Sequence, residues 1–575
     1  MDRWYRTLSV SVFVLLALLS VWLWPASSKP NPKVQSPSLV VLLVFDQLRA
    51  DYLQRWYALL ERDGFRRLLD QGAWFQNCHY PYANTMTGPG HATLVTGCSP
   101  DQHGIVGNDW YERKSRTQVN CVGTERHLRV PPTASKPKKP NGADPERLLQ
   151  PTVADVMKQH FGKEVRVVAL SLKDRGAILP GGKAADVCCW SDRDGQFVTS
   201  TRYADRLPAW VDAFNRSGFA AQWAEQSWHR LLPNLDYTKH AGPDDVVGEG
   251  YGKELGRTFP HVFPTLNGNE SARRKYYEAL GTSPFGNDLV LELARRAIDA
   301  ERLGTRATPD FLSISFSSND LVGHAWGPDS QEVLDTTLRS DRILRDLLAH
   351  LDARVGKGRY LVVLSADHGV CPLPEVARAQ GWDARRVDPG KVAAAIETFL
   401  DGRFPAKQET ASGRWIEAFA SNMIYFDRST LTRRGVSLSA AANALADWLV
   451  AEPNTGIAVA ITRDELLAGK SNKPYFEAVR RSFHPERSGD VMVVGKPYYL
   501  MSNLLGGTSH GTPYPYDTHV PLLVMGPGVR PGIRQQRVTP EDAAVILAAA
   551  LKMPPPAGTR RAVPEGLFEE SFTTK

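Results

Sequence analysis

Cysteine is scarce in this sequence, which has six in 575 residues. No two are spaced as Cys-x-x-C, so the usual cysteine-based zinc site is excluded. The N-terminal segment has the pattern of an export signal, so the thiols are expected to reach a compartment where disulfides form. The sequence is compatible with a Cys78–Cys98 disulfide and also with buried free thiols. The other four cysteines are Cys121, Cys188, Cys189 and Cys371.

Long apolar runs are absent after residue 24, which excludes a protein with several membrane spans. The chain begins MDRWYRTLSVSVFVLLALLSVWLWPASSKP, in which two arginines precede an uncharged run over residues 7–24. This is the pattern of a secretory signal, and Ala26 and Ser28 suit a cleavage site. The run is also long enough to remain as an anchor. We predict that 1–30 is a signal peptide or N-terminal membrane anchor and that 31–575 is periplasmic.

The chain also has only a small excess of charge of one sign. The formal net charge of +7 is small for 575 residues and no single element concentrates it, so nucleic acid is not an expected partner. The hydrophobic fraction of 42% and charged fraction of 23% are those of a globular protein and exclude a disordered chain. The sequence also lacks an internal repeat. A chain of this length forms one large domain with insertions, or two domains.

Four continuous apolar runs, each bounded by turn residues, indicate strands covered on both faces, as in a parallel sheet. They are SLVVLLVFDQ, DFLSISFSSND, GRYLVVLSADHG and HVPLLVMGPG. Apolar residues recur at three and four positions in NDLVLELARRAIDAERLG and DTTLRSDRILRDLLAHLDARVG, which predicts helices. Alternating strands and helices predict a layered α/β fold.

Three of these runs end in an aspartate: Asp46, Asp320 and Asp367. Aspartate after a strand is commonly a turn former, but the carboxyl ends of parallel strands are also where such sheets bind ligands. His324 follows Asp320 by four residues, which places both on one face of a helix. His368 follows Asp367 directly. Both can face one metal only if the strand ends there, which Gly369 permits.

Seven side chains are candidate metal ligands. His510, in the loop GGTSHGTPYPYDTH, and Thr87 join the three aspartates and two histidines. A catalytic zinc takes three protein ligands and keeps one open position, so seven ligands are too many for one ion. They fit two, and paired metals clamp an in-line displacement at phosphorus. We therefore predict two Zn²⁺ per chain.

The stretch NTMTGPGHATLVTG contains Thr87. We expect Gly88, Pro89 and Gly90 to turn the chain sharply, so that a helix begins with Thr87 at its N-cap. The free N–H groups of that helix end would face an incoming phosphate. A threonine hydroxyl becomes a good nucleophile when a cation lowers its pKa. Thr87 is therefore the predicted nucleophile, and a purely capping role is the alternative.

Taken in order, the motifs resemble those of a known family. They are Asp46, TGPGHATLVTG, GIVGNDWY, SLKDRGAILPGG, NDLVGH, SADHG and SHGTPYPYDTH, over about residues 39–530. The set resembles the alkaline phosphatase superfamily, and within it the periplasmic phosphate-irrepressible enzymes with a threonine nucleophile, which are relatives of the nucleotide pyrophosphatase/phosphodiesterases. This resemblance implies a three-layer α/β sandwich with a central, mostly parallel sheet and inserted cap segments.

The resemblance also implies roles for ten residues. One zinc would be bound by Asp320, His324 and His510, and the other by Asp46, Thr87, Asp367 and His368. Asn108, Lys173 and Arg175 match the family's contacts to phosphoryl oxygens. Taken alone, Asn108 would equally be a turn residue, and Lys173 and Arg175 would belong to an exposed charged turn.

The predicted function is zinc-dependent hydrolysis of small phosphate monoesters through a phosphothreonine on Thr87. A phosphodiesterase or nucleotide pyrophosphatase that uses the same two metals is the first alternative. A tethered protein that binds phosphate or metal without turnover is the second. Sulfate esters are not favoured, because sulfatases of this superfamily need a modified Cys or Ser with a nearby arginine, and the Thr87 motif has neither.

Two stretches, 187–300 and 390–500, carry no catalytic motif. We expect them to be insertions that form a cap or wall within a single catalytic domain spanning 31–575. Four tryptophans of the first stretch could stack on a nucleoside or aryl group, but core packing is the preferred interpretation. They are Trp190, Trp210, Trp223 and Trp228.

Overall fold

The computed structural model describes residues 36–132, 141–405 and 413–573. The predicted signal or anchor, residues 1–30, lies outside these ranges. Across the described ranges, no helix combines the length and apolar character needed to cross a bilayer.

The described strands are, in chain order, β1 (Leu39–Phe45), β2 (Ala73–Phe75), β3 (Asp109–Glu112), β4 (Thr117–Asn120), β5 (Gly123–Thr124), β6 (Arg129–Val130), β7 (Gly142–Ala143), β8 (Val167–Ser171), β9 (Val187–Ser191), β10 (Phe197–Ser200), β11 (Ser227–Trp228), β12 (His261–Val262), β13 (Asp310–Phe316), β14 (Tyr360–Ser365), β15 (Arg385–Val387), β16 (Ile416–Ala420), β17 (Met423–Phe426), β18 (Ile457–Thr462), β19 (Val491–Gly495), β20 (Tyr499–Met501), β21 (Leu522–Met525) and β22 (Gly532–Arg534).

The described α-helices are Ala50–Arg55, Phe65–Gln71, Thr87–Thr96, Pro100–His103, Val153–Phe161, Asp174–Gly181, Ala209–Arg216, Tyr237–Ala241, Glu270–Gly281, Phe285–Ala300, Ser318–Trp326, Gln331–Arg354, Pro374–Ala379, Pro389–Arg403, Arg428–Arg434, Leu438–Ala451, Arg463–Ala468, Phe476–Ser482, Pro515–Thr518, Asp542–Ala550 and Glu570–Thr573. Short 3-10 turns lie at Tyr57–Leu59, Phe219–Ala221, Gly252–Glu254 and Pro453–Thr455.

Ten strands form the main sheet, in the order β22-β2-β21-β14-β1-β13-β8-β9-β10-β6. The five central strands, β14, β1, β13, β8 and β9, run parallel. Antiparallel neighbours flank them on both sides. The predicted α/β class with a mostly parallel central sheet is confirmed.

The β1 strand lies at the centre of this sheet because it is apolar throughout. It pairs with β13 on one side and β14 on the other, and all seven residues are fully buried. Each buried side chain of this size contributes about 1.5–3 kcal/mol. Helices therefore have to cover both faces of the sheet.

The helices that cover the sheet include both predicted ones. These are Phe285–Ala300 and Gln331–Arg354, which pack against each other. A second group, Thr87–Thr96, Asp174–Gly181 and Asp542–Ala550, packs around the first of its members. The second group carries the predicted nucleophile.

The fourth predicted strand differs from expectation in its direction. The run HVPLLVMGPG forms β21, which pairs with β14 in antiparallel orientation. A strand that is buried on both faces is a continuous apolar run in either direction, so the pattern does not encode orientation.

A smaller antiparallel sheet has the order β16-β17-β19-β18. It lies within the predicted insertion 390–500, and the helix Leu438–Ala451 packs on it. The other predicted insertion, 187–300, begins with β9 and β10, which belong to the main sheet. That both stretches form a cap or wall stays a prediction.

Cysteines and tryptophans contribute to packing. All six cysteines are buried free thiols, so the structure contains the second alternative and no Cys78–Cys98 bridge. Trp190 and Trp228 are buried. Trp210 and Trp223 are partly buried against the main core. These positions agree with the core role preferred for the tryptophans.

Candidate active site

Three aspartates converge at the carboxyl edge of the main sheet. Asp46 follows β1 directly, Asp367 follows β14 after one residue, and Asp320 lies in the first turn of the helix after β13. All three are at most 2% exposed. Parallel neighbouring strands end at the same edge, which brings these distant parts of the chain together.

Three histidines turn the same ring nitrogen, Nε2, toward these carboxylates. His324 Nε2 lies 3.1 Å and His510 Nε2 lies 3.7 Å from Asp320 Oδ1. His368 Nε2 lies 3.4 Å from Asp46 Oδ1. The predicted ligands therefore meet in one place.

The other ring nitrogen of each histidine, Nδ1, lies beside a backbone carbonyl. The distances are 2.6 Å from His324 to Thr508 O, 2.9 Å from His368 to Gly369 O and 2.7 Å from His510 to Thr85 O. An Nδ1–H that donates to a carbonyl fixes the tautomer in which Nε2 keeps its lone pair. That is the form in which histidine binds metals.

Two groups of donor atoms are compact enough to hold an ion each. They are Asp320, His368 and His510, and Asp46, Asp367 and His368, with the donor atoms of each group within 4.8 Å of one another. Among the described residues, Asp46 Oδ1 is buried and accepts no hydrogen bond. A buried carboxylate oxygen without a partner is costly, so the donor set fits divalent cations.

These groups differ slightly from the sets that the resemblance implied. His368 belongs to both groups, and its ring stacks on that of His510 with centroids 3.5 Å apart. His324 contacts Asp320 but belongs to neither compact group. The implied division of ligands between two zinc ions stays a prediction.

Thr87 lies beside the shared histidine, with Oγ1 3.3 Å from His368 Nε2. The expectation that Thr87 is the N-cap is wrong. The helix runs Thr87–Thr96, Met86 occupies the N-cap and Thr87 is the first helical residue. Proline is tolerated in the first turn, where its missing N–H has no intrahelical acceptor, so Pro89 does not delay the helix.

Gly90 lets this helix touch the end of β14. A Cβ atom at Gly90 would lie 2.1 Å from the carbonyl oxygen of Asp367, which no side chain tolerates. Glycine is therefore required by close approach, and the approach holds Thr87 next to the donor groups.

The three carboxylates have different protonation equilibria. Burial, and then the charge of Asp367, raise the pKa of Asp46 well above its ordinary value. Burial also acts to raise the pKa of Asp320, but His324 and Lys173 outweigh it and hold that pKa well below the usual range. The pKa of Asp367 is lowered too, since His368 and His91 outweigh its burial.

Burial lowers the pKa of His368, and at His510 the neighbouring histidines lower the pKa further. A lowered pKa favours the neutral ring, which is the form that binds a metal. Burial would lower the pKa of His324 as well, but Asp320 raises it above its ordinary value.

Lys173 places its ammonium between two of the aspartates. Its Nζ atom lies 2.7 Å from Asp46 Oδ2 and 2.5 Å from Asp320 Oδ2. Burial would lower the pKa of Lys173, but Asp320 and Asp46 raise it, so the ammonium stays charged. This side chain adds positive charge to the donor groups.

Asn108 and Arg175 come from two further segments. Asn108 Oδ1 accepts a 2.7 Å hydrogen bond from the Gly88 N–H, next to Thr87. Arg175 lies in the first turn of Asp174–Gly181, and its buried Nε has no hydrogen-bond partner among the described residues. That these side chains bind phosphoryl oxygens stays a prediction.

Two residues of the site were missed by the sequence reasoning. Gln47 donates from Nε2 to Asp320 Oδ1 at 2.7 Å and from its backbone N–H to Asp367 Oδ1 at 3.1 Å. His91 Nδ1 lies 2.9 Å from Thr87 O and 3.2 Å from Asp367 Oδ2. The spacing of four between Thr87 and His91 on one helix was the available signal.

The parallel sheet, with a threonine at a helix N-terminus among buried aspartates and histidines, has the architecture of the alkaline phosphatase superfamily. The model of the family described as type I phosphodiesterase / nucleotide pyrophosphatase matches residues 40–513. The chain therefore belongs to this family, and the predicted superfamily is confirmed.

Similar proteins include two named phosphatases. The chain is 35% identical to alkaline phosphatase PafA of Elizabethkingia meningoseptica, over 95% of this chain and 96% of the relative. It is 33% identical to alkaline phosphatase PhoV of Synechococcus elongatus, over 92% of each. The crystal structure of wild-type PafA matches with a TM-score of 0.85, covering 94% of this chain and 100% of that one. These likenesses confirm the prediction of a phosphatase enzyme.

Proposed function

We propose that this chain hydrolyses phosphate monoesters through a phosphothreonine on Thr87, with two zinc ions at the donor groups. The observation that carries the proposal is the position of Thr87 Oγ1, at a helix N-terminus and 3.3 Å from the histidine shared by both groups. A variant of PafA solved with replacements of a threonine, an asparagine, a lysine and an arginine supports it. Those residue types occur here, in that order, as Thr87, Asn108, Lys173 and Arg175.

Two zinc ions would supply positive charge that stabilises an ionised Thr87 hydroxyl and the departing ester oxygen. Thr87 Oγ1, having lost its proton to water, attacks phosphorus; the ester bond breaks, and the leaving oxygen takes a proton from water to depart as the alcohol. The N–H groups at the start of the helix and the side chains of Asn108 and Arg175 hold the phosphoryl oxygens. Water then hydrolyses the phosphothreonine and frees phosphate.

Charge favours monoesters over diesters. The three aspartates and an ionised Thr87 carry four negative charges, which two divalent ions balance. Lys173 and Arg175 then leave two positive charges for the ligand. A dianionic monoester matches this excess, whereas a diester has one negative charge and places a second organic group where a cation would contact oxygen.

Export is part of the same proposal. The basic and apolar start of the chain, residues 1–30, would direct residues 31–575 to the periplasm, with the N-terminal segment either removed or kept as the anchor. The two insertions would form the walls of the site within one catalytic domain.

The test combines metal analysis with matched substrates. We expect about two equivalents of zinc per chain after dialysis, loss of turnover on chelation and recovery when zinc returns. We also expect a higher kcat/KM for an aryl phosphate monoester than for the matched diester. Full activity without metal would overturn the metal proposal. A preference for the diester would instead favour the phosphodiesterase alternative.

A further inference from the structure

A cavity of about 240 Å³ lies beside the donor groups, and the proposed chemistry leaves it unused. One wall is the loop around His510 and another is Met86, the residue before Thr87. The remaining wall comes from the smaller sheet and from β20. The cavity therefore joins the site to the predicted insertion 390–500.

The lining of the cavity combines apolar and uncharged polar side chains. Its large apolar side chains are Phe419, Leu500, Met501 and Met86, and Asn422 is among the polar ones. Among the described lining residues there is no aspartate, glutamate, lysine or arginine. An uncharged lining favours an uncharged ligand group, and methionines adapt to apolar groups of varied shape.

The tip of the hairpin between β16 and β17 fixes this wall against the catalytic segments. Ser421 and Asn422 form its two-residue turn, both at positive φ, 50° and 62°. Ser421 Oγ donates to Asp109 O at 2.7 Å and Asn422 Nδ2 donates to Gly511 O at 2.8 Å. These partners directly follow Asn108 and His510, so the wall has a fixed position beside the site.

The cavity adjoins the donor group that contains His510. In a displacement at phosphorus the ester oxygen departs next to the metal-binding groups, so a cavity beside His510 is within reach of the ester's organic group. An apolar cavity of 150 Å³ holds benzene, whereas pockets for drug-sized ligands begin at about 300 Å³. The volume thus fits one aromatic ring or a short alkyl chain.

We propose that this cavity binds the organic group of the substrate, and that it selects compact, uncharged apolar esters. Phe419 is the specificity-determining residue, since its half-buried ring forms part of the apolar wall. This inference rests on the proposed monoesterase function.

The experiment measures kcat/KM of the zinc-loaded enzyme on ethyl, butyl and hexyl phosphate. The three alcohols have similar acidity, so differences report binding of the chain and not leaving-group chemistry. We expect wild-type kcat/KM to rise by up to about fourfold per buried methylene until the cavity is filled. In Phe419→Ala, kcat/KM should increase much less with alkyl chain length. Phe399→Ala is the matched control, because Phe399 stacks on Trp448 in a different cleft and should leave the rise unchanged.

A second variant fills the cavity instead of emptying it. Ala420 lines the cavity, and Ala420→Leu should lower kcat/KM for hexyl phosphate at least tenfold more than kcat/KM for ethyl phosphate. The proposed subsite would be overturned if wild-type kcat/KM were independent of alkyl chain length. It would also be overturned if kcat/KM rose with chain length in both variants as it does in the wild type. Failure of the proposed function would look different: the monoesters would not turn over, while matched diesters would.

Discussion

The two regions around Thr87 differ in chemical character. The carboxyl edge of the main sheet contributes three buried aspartates, three histidines and Lys173. The hairpin tip of the smaller sheet contributes uncharged groups, Ser421 and Asn422, that hydrogen-bond to backbone carbonyls. Charged donors cluster where parallel strands end, because only there do several segments converge. We propose that the edge performs the chemistry and that the hairpin positions it.

Removing the proposed nucleophile should give the largest loss of activity. Thr87→Ala deletes the attacking oxygen and spares the aspartates and histidines, so we expect kcat to fall by several orders of magnitude while zinc content stays the same. Thr96→Ala is the control, since Thr96 lies at the other end of the same helix and its hydroxyl donates to Ala92 O. Unchanged activity in Thr87→Ala would favour the view that the chain binds phosphate without turnover.

The second largest effect is expected at the two cations that are predicted to bind phosphate. Arg175→Ala should lower kcat/KM for monoesters by about 10² to 10³, and for diesters much less, because a diester carries one negative charge fewer. Lys173→Ala should show the same preference. Lys173 and Arg175 follow β8, whereas Arg166 lies just before the opposite end of this strand and pairs with Glu301. Arg166→Ala should therefore leave kcat/KM unchanged for both monoesters and diesters. Equal losses of kcat/KM on monoesters and diesters would indicate that Arg175 and Lys173 have only a structural role.

A substitution in the hairpin should lower kcat less than a substitution at the edge of the main sheet. Asn422→Gly keeps the positive φ without strain and removes the amide that bonds to Gly511 O and, at 3.3 Å, to Asn84 Oδ1. Two lost hydrogen bonds of about 1 kcal/mol each loosen the loops of His510 and Thr87, and we expect kcat to fall about tenfold. Steady-state kinetics checks this. A loss as large as that of Thr87→Ala would contradict the division between the two regions.

The smallest effect on activity is expected at Glu249. This buried carboxylate lies in a segment bonded to Ala325 O, next to His324, but it is not a candidate ligand. Burial, with a contribution from Glu332, raises the pKa of Glu249 from 4.5 to about 8. The folded state therefore holds this proton more tightly than the unfolded state, and stability falls as pH rises from about 4.5 to 8.

Replacing Glu249 removes that pH dependence. Glu249→Gln cannot ionise, so its free energy of unfolding should exceed that of the wild type by a few kcal/mol at pH 8.5 and by much less at pH 5. Thermal unfolding at the two pH values measures the difference, and kcat should stay within about twofold. A stabilisation that is equal at both pH values would refute the raised pKa.

Much of the edge was predictable from sequence. Asp46 and Asp367 follow continuous apolar runs, and such runs become buried strands because both faces are covered. The spacing of Asp320 and His324 is that of one helical turn. Local patterns therefore located these donors. The direction of β21 and the start of the Thr87 helix were mispredicted, since a buried run has no direction and a first-turn proline does not delay a helix.

The hairpin was not predictable in the same way. Asn422 lies 338 residues from Asn84, and its role depends on tertiary contacts that no local pattern specifies. Gln47 is similar, because an amide beside Asp46 acquires its role only when Asp320 and Asp367 arrive from other strands. Donors with unusual chemistry are visible in a sequence, whereas neutral groups that position them become visible only in the fold.

The most direct test of the account is the location of the covalent phosphate. Wild-type enzyme should be mixed with a labelled phosphate monoester, quenched in acid during turnover and digested, and the labelled peptide should be sequenced. The account predicts phosphate on Thr87, within NTMTGPGHATLVTG, and no label in Thr87→Ala. Label on any other residue, or turnover in which no phosphate is ever trapped on the chain, would contradict it.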